Sequence, residues 1–386
     1  MTDPHPQPDD LPRGPVDDAL ENLVNQFARP LECLRELVQN AIDAGSPRVD
    51  VTVRWERETD LEGVLAIEVR DFGEGMDERL IDDKLTRMFA SSKEDDLTKI
   101  GRFGIGFTSI FAIDPALVQV RTGRHGESWE LVFHPDRSFT KMPNATPFRG
   151  TRVTLFRRMA AAERPRWVRE CREVLEFWCA HSDVPVFFQD AGDGAAGARS
   201  PASPDTQSPD PFADFAAPTP PPPASQISTP IELDCALVHR VDEPGFALVV
   251  GYGDTPQFGW YNGGLTLLST RSPDCLGALA NRLGHLRFKL KSNRLEHTLT
   301  RDNVIQDDHW QDVIVKLESA ANTLRGVLLA RHKADADQGR PLDPTLLWIA
   351  QEARAGGLGR RALEGIYLPT VTAKGPEVQP LHALRA

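Results

Sequence analysis

A chain of 386 residues, 40% hydrophobic and 26% charged, has room for two ordinary cores plus connecting chain, because domains usually run ~100 to 200 residues. It carries no apolar run long enough to cross a bilayer, so no membrane span is expected. Its net charge of −12 argues against a large nonspecific nucleic-acid footprint, which needs a Lys/Arg surplus on at least one face; a local basic patch stays compatible with it.

Residues 1–13 are rich in Pro and Asp and lack the basic-then-apolar order of a secretory leader, so a cytoplasmic address is expected. Cys33, Cys171, Cys179, Cys235 and Cys275 are scattered without a CxxC pair, which suggests neither a disulfide framework nor a zinc site.

The first predicted element is a helix over 30–44, where Leu31, Leu34, Leu37, Val38 and Ile42 form a helical stripe that stops at Gly45. Strands follow. Val49, Val51 and Val53 alternate with polar residues, and 64–69 repeats the pattern before Asp71 opens a glycine-rich turn. Further strands are predicted at 117–122, 128–133 and 151–156, with a closing helix at 164–180. Residues 14–188 thus form a first α/β domain. From 189 to 230 the chain turns to Ala, Gly, Ser, Asp and Pro, including Pro218 and Pro220 to Pro223. That composition predicts a disordered, proline-stiffened linker. A smaller α/β domain is predicted over 231–335, with strands at 231–239, 247–251, 265–269 and 286–290 and a helix at 276–283. A long helix, whose Val313, Leu317, Leu324 and Leu328 share a face, ends it. Residues 336–386 read as a helical tail.

Four segments of the first domain carry chemistry. Glu36, Asn40 and Asp43 are spaced four and then three apart, on one side of the first helix. An amide there can hold a hydrated metal ion, and an acid one turn away can orient or deprotonate water; a solvated polar face has the same spacing. Asp71-Phe-Gly73-Glu-Gly75-Met76 follows a strand. An Asp at a strand end can accept from an exocyclic amine, and the two glycines let the backbone approach a flat base, although DxGxG also describes an ordinary turn. Gly101-Arg-Phe-Gly104-Ile105-Gly106-Phe107-Thr-Ser109 leads into the apolar helix 110–113 and would expose backbone N–H groups to an anion. Its G-x-x-G-x-G spacing is not the dinucleotide fingerprint. Last comes Gly150-Thr151-Arg-Val153, a strand whose Thr could face the base.

In this order the segments resemble the GHKL group of gyrase, heat-shock-protein-90, histidine kinase and MutL ATPases, and 71–76 with 100–109 look most like the heat-shock-protein-90 chaperones. The resemblance implies a two-layer α/β sandwich, the Bergerat ATP-binding fold, with a second, smaller α/β domain after it. By the same resemblance ATP and Mg2+ are the cofactors, Glu36 is the general base and Asn40, beside Asp43, the magnesium ligand. Asp71 reads adenine, Gly73, Gly75 and Met76 line the base, and Thr151 supports Asp71 through water. Gly101, Gly104, Ile105, Gly106 and Phe107 wrap the phosphates, and 77–100, with Lys93, forms a lid.

The likeness extends to Trp260-Tyr261-Asn-Gly-Gly-Leu-Thr-Leu-Leu-Ser269, Leu286-Arg-Phe-Lys-Leu and Asn293-Arg-Leu-Glu-His-Thr-Leu-Thr-Arg301-Asp-Asn-Val304, which look like the chaperones' middle domain. Arg301 is then the arginine that reaches the γ-phosphate. A slow ATPase follows, in which ATP drives lid closure and docking of the second domain, with client or partner proteins and a transient homodimer as expected partners. A counterpart of the family's C-terminal dimerisation domain is not expected from the residues that follow the long helix. A MutL- or MORC-like ATPase acting with DNA is the alternative, as is a nucleotide-gated interaction module with little turnover. The acidic balance favours the chaperone reading, and nucleic acid is not expected among the partners.

Overall fold

The computed structural model describes residues 30–86, 106–193, 223–296, 298, 303–372 and 375–381. The chain divides into two compact units, Met1–Ser228 and Thr229–Ala386.

In the first unit, valines and other apolar residues at every second position of strand β1 (Val49–Arg57) bury one face and leave the other half-exposed. Strand β2 (Glu62–Asp71) pairs with it antiparallel, Val51 opposite Val69. Strands β3 (Leu117–Arg124), β4 (Glu127–Phe133), β5 (Phe139–Pro143) and β6 (Gly150–Ala160) add to the sheet on one side, and β7 (Val186–Asp193) and β8 (Ser225–Gln226) on the other. The order is β5-β4-β3-β6-β2-β1-β7-β8. All pairs are antiparallel except β1 with β7.

Two helices cover the apolar face. Helix α1 (Cys33–Asp43), entered through a tight turn at Pro30–Glu32, buries Leu34, Leu37, Val38 and Ala41. Helix α2 (Arg164–Trp178) buries Cys171, Val174 and Leu175 and packs on α1. One sheet and one helical layer make a two-layer α/β sandwich.

The second unit has a five-stranded sheet in the order β12-β11-β13-β10-β9, built from β9 (Leu237–Glu243), β10 (Phe246–Tyr252), β11 (Gln257–Asn262), β12 (Leu265–Thr270) and β13 (Arg287–Ser292). The long helix α3 (Asp308–Asp337) lies on it, N-capped by Asp307, whose side chain accepts from Trp310 N. Leu317, Leu324 and Leu328 of α3 join Phe258, Trp260 and Phe288 in one core.

Several segments differ from the sequence expectation. Residues 336–386 are not a tail of helices alone: α4 (Asp343–Arg354) is followed by a helical turn and the hairpin β14 (Tyr367–Thr372) and β15 (Gly375–Pro380). Trp348, Ile349 and Ile366 belong to the same core as α3. Within that core Glu352 is fully buried, accepting from Tyr252 Oη at 2.7 Å and Arg325 Nε at 2.5 Å, with His285 Nε2 at 2.9 Å. The expected linker 189–230 begins inside β7 and ends beyond β8, where Gln226 pairs with Phe187 and Val186 N donates to Ser228 Oγ. The strand expected at 231–239 starts only at Leu237; Ile231 instead packs on the sheet with Ala247, Val249 and Tyr261.

Candidate active site

A cavity of about 260 Å3 opens between α1 and the buried face of the first sheet, a little below the ~300 to 1,000 Å3 of typical small-molecule pockets. Leu37 of α1 and Val69, Val120 and Val153 of the sheet make its apolar floor. Asn40, Asp43, Asp71, Gly75, Met76, Phe107 and Thr151 line it as well. The helix periodicity and the strand end anticipated in the sequence therefore converge on one space.

Asp71 is the last residue of β2 and only 8% exposed. Its Oδ1 accepts from Gly73 N at 2.9 Å and Thr151 N at 3.1 Å. Burial raises the pKa of this carboxyl; the two backbone N–H groups, the Thr151 hydroxyl and the Arg70 charge oppose that shift. Both backbone donors take the same oxygen, Oδ1, and leave Oδ2 without a backbone partner. Thr151, expected to support Asp71 through water, touches it directly through its backbone N–H.

Gly75 sits at φ 69°, and a Cβ built on it would stand 2.2 Å from the Gly123 carbonyl. No other residue takes this conformation without strain. The turn it permits brings Met76 N to Thr122 Oγ1 at 2.9 Å. The Thr122 hydroxyl also lies 3.2 Å from the Gly150 carbonyl and 3.1 Å from Thr151 Oγ1. Thr122 thus ties the glycine turn to the strand carrying Thr151. Sequence reasoning missed it, although a buried hydroxyl at the end of an otherwise apolar alternation was the available signal.

The polar side of α1 splits. Asn40 faces the cavity, and Asp43 at its rim accepts from Gln39 Nε2 at 2.8 Å. Glu36 is buried and does not line the cavity; Arg35 Nη1 donates to its Oε1 at 3.1 Å. Its Oε2 abuts Gly106, where an added Cβ would meet it at 2.7 Å. Gly106 opens the short helical stretch containing Phe107, and Ser109 Oγ closes it by donating to the Gly106 carbonyl at 2.6 Å. A one-turn helix, Ser109–Ile113, stands where the apolar helix 110–113 was expected. Glu74 and Arg124 form an ion pair of 2.7 Å beside the cavity, unanticipated from sequence. Lys93, Gly101, Gly104, Ile105 and Arg301 lie outside the described residues, as does 87–100 of the expected lid.

Asp71 with one oxygen free of backbone donors, an apolar floor and a glycine turn fit the base end of an adenine nucleotide. Among the described residues no three His, Cys, Asp or Glu gather. A magnesium ion would rest on Asn40, waters and phosphate oxygens, the donor set this ion favours with nucleotides. No helix of the described residues is long and apolar enough to cross a membrane.

Residues 29–149 match the family described as histidine kinase-, DNA gyrase B-, and HSP90-like ATPase. Fold, cavity and match together make this segment similar to the GHKL ATPases. Over 150 residues the chain is 35% identical to a protein named DNA mismatch repair protein MutL from Nitrobacter winogradskyi, covering 36% of this chain and 24% of that protein. MutL of Shewanella oneidensis is 31% identical over 141 residues (33% and 21%), and that of Sphingopyxis alaskensis 33% over 165 residues (39% and 26%). The chain spans about a quarter of the length of the curated relatives it matches. These names back the DNA-linked alternative better than the chaperone reading, and they give no support to leaving nucleic acid out of the expected partners.

Proposed function

We propose that the first unit binds and hydrolyses ATP and that the chain works with DNA, as the name of its MutL relatives indicates, rather than as a chaperone. Asp71 accepts from the adenine amine, Asn40 holds the magnesium ion, and Glu36 orients or deprotonates the attacking water. The observation that carries the reading is the buried Asp71 carboxylate, fixed through one oxygen by Gly73 and Thr151, in the cavity that Asn40 also lines. The magnesium ion, when bound, neutralises phosphate charge. The rest falls to this chain's own groups: an apolar floor that excludes water from the base, and an acid one turn from the amide.

A presteady-state comparison of the intact protein with Glu36→Ala tests this reading. ATP binding is expected to persist and turnover to fall to background; equal turnover in both proteins removes Glu36 as the base. A second reading, a nucleotide-gated module with little turnover, draws support from the burial of Glu36 away from the cavity lining. Slow wild-type turnover that DNA does not raise would favour it.

A further inference from the structure

Asp71, Thr151 and Val69 face the nucleotide cavity, so their strand neighbours Arg70 and Arg152 face the opposite side of the sheet. Register sets Arg70 opposite Arg152, and Arg152 opposite Arg121. Three like charges therefore stand side by side across β2, β6 and β3, an arrangement that costs stability in each cross-strand pair.

Phe148 gathers them: the guanidinium carbons of Arg70, Arg121 and Arg152 lie 5.6, 5.1 and 5.6 Å from its ring centroid. Next to them Arg70 lies 4.7 Å from the Phe72 ring, and Arg48 lies 5.5 Å from Phe72 and 4.9 Å from Phe187. Four arginines are thus threaded through three half-buried phenylalanines.

Charge compensation on this face is partial. Asp50 is taken by Arg48 at 2.7 Å, and Glu68 is shared between Arg54 at 3.0 Å and Arg152 at 3.6 Å. Among the described residues no carboxylate pairs with Arg70 or Arg121, whose Nε atoms have no hydrogen-bond acceptor; Arg121 Nη2 donates to the Thr146 carbonyl at 3.3 Å, and Glu130, opposite Arg121 on β4, accepts from Gln119 and Asn144 instead. In a chain of net charge −12, this is a local surplus of the opposite sign.

We propose that this sheet face binds single-stranded nucleic acid. Guanidinium forks take phosphate oxygens bidentately, and phenylalanine rings, which carry no hydrogen-bonding group, stack on bases whatever their sequence. A sheet surface offers a plane across which unstacked bases can lie, whereas a duplex hides its base faces within the stack. An acidic peptide would use the arginines but brings no flat base to lie against the rings. The inference goes beyond the nucleotide pocket and does not depend on it, since the two sites use opposite faces of the sheet.

Fluorescence anisotropy on the full chain tests it, with a labelled oligothymidine of about 16 nucleotides, a duplex of equal length and a polyglutamate peptide, at stepped salt. The oligothymidine is expected to bind tightest. The double variant Arg121→Gln/Arg152→Gln should flatten the plot of log K against log salt by about 0.7 for each phosphate it no longer neutralises. Phe148→Leu should weaken binding ~5-fold or more, and Arg121→Lys/Arg152→Lys should weaken it less than the glutamine pair. ATP affinity, measured on every variant, reports that the domain is folded. Tighter binding of the duplex or of polyglutamate overturns the proposal, as does wild-type oligothymidine binding by the glutamine and leucine variants with ATP affinity intact. Oligothymidine binding without any ATP binding by the wild type would instead sink the pocket reading alone.

Discussion

Gly106 and Glu36 are in contact: a methyl group on Gly106 would stand 2.7 Å from Glu36 Oε2. The acid proposed to handle water is therefore held in place by the absence of a side chain on another segment. Gly106→Ala should displace the carboxylate, and a misplacement of ~1 Å at a reacting centre costs about 10²-fold in rate. Turnover should fall by roughly that factor while calorimetry shows little change in ATP affinity. Full turnover in the alanine variant would mean that the position of Glu36 does not matter.

Asp71→Asn should separate binding from stability. The asparagine can still accept from Gly73 and Thr151, but it presents an amide where the carboxylate would meet an amine, so ATP affinity should drop at least ~10-fold. Because burial raises the Asp71 pKa, the folded protein holds that proton more tightly than the unfolded chain. The wild type should therefore lose stability from this group as pH rises through the interval between the ordinary Asp value and the raised one. Denaturant titrations from about pH 4 to 7 should show a shallower decline in the variant. Unchanged ATP affinity would refute the adenine assignment.

Thr122→Val removes a hydroxyl at nearly constant volume. Met76 N then loses its acceptor, a loss worth about 1 to 3 kcal/mol when the donor is left unsatisfied. Urea denaturation should register a cost in that range, and ATP should bind more weakly because the glycine turn is released. An unaltered unfolding midpoint would show that water replaces the hydroxyl.

In the second unit, Glu352→Gln leaves Arg325 buried without its counter-charge, which should cost about 3 to 5 kcal/mol. Burial by itself would raise the Glu352 pKa, but hydrogen bonds from His285, Arg325 and Tyr252 outweigh it and hold the carboxyl below its ordinary value. Its contribution is thus complete above the ordinary Glu pKa and is lost as pH falls through the depressed one. Acid titration followed by circular dichroism should show a steeper loss in the wild type than in the variant.

The pocket was legible wherever local pattern met chemistry. The stripe of Leu34, Leu37 and Val38 fixed which side of α1 packs, and so where Asn40 had to point; the alternation through Val69 brought Asp71 to a strand end. Glu36 shows the limit. Its spacing from Asn40 predicted a shared face, but a helix turns 100° per residue, and its contact with Gly106, seventy positions away, could not be read from spacing. The edge strand β5, and β7 between β1 and the two-residue β8, were missed because their pairing is set by neighbours rather than by their own alternation. The C-terminal hairpin escaped because Pro369, Pro376 and Pro380 made it look like loose chain. The arginines around Phe148 were invisible for another reason: an acidic total hides a basic row assembled from β2, β3 and β6.

The chain leaves the first sheet at the end of β7 and rejoins it at β8, whose Ser225 lies opposite Phe188 of β7 itself. The proline-rich stretch therefore joins two paired strands of the first unit and is not the connection between the units. Shortening it should bear on the β7–β8 pairing, whereas the passage from one unit to the other begins only after Ser228 and is already packed at Ile231.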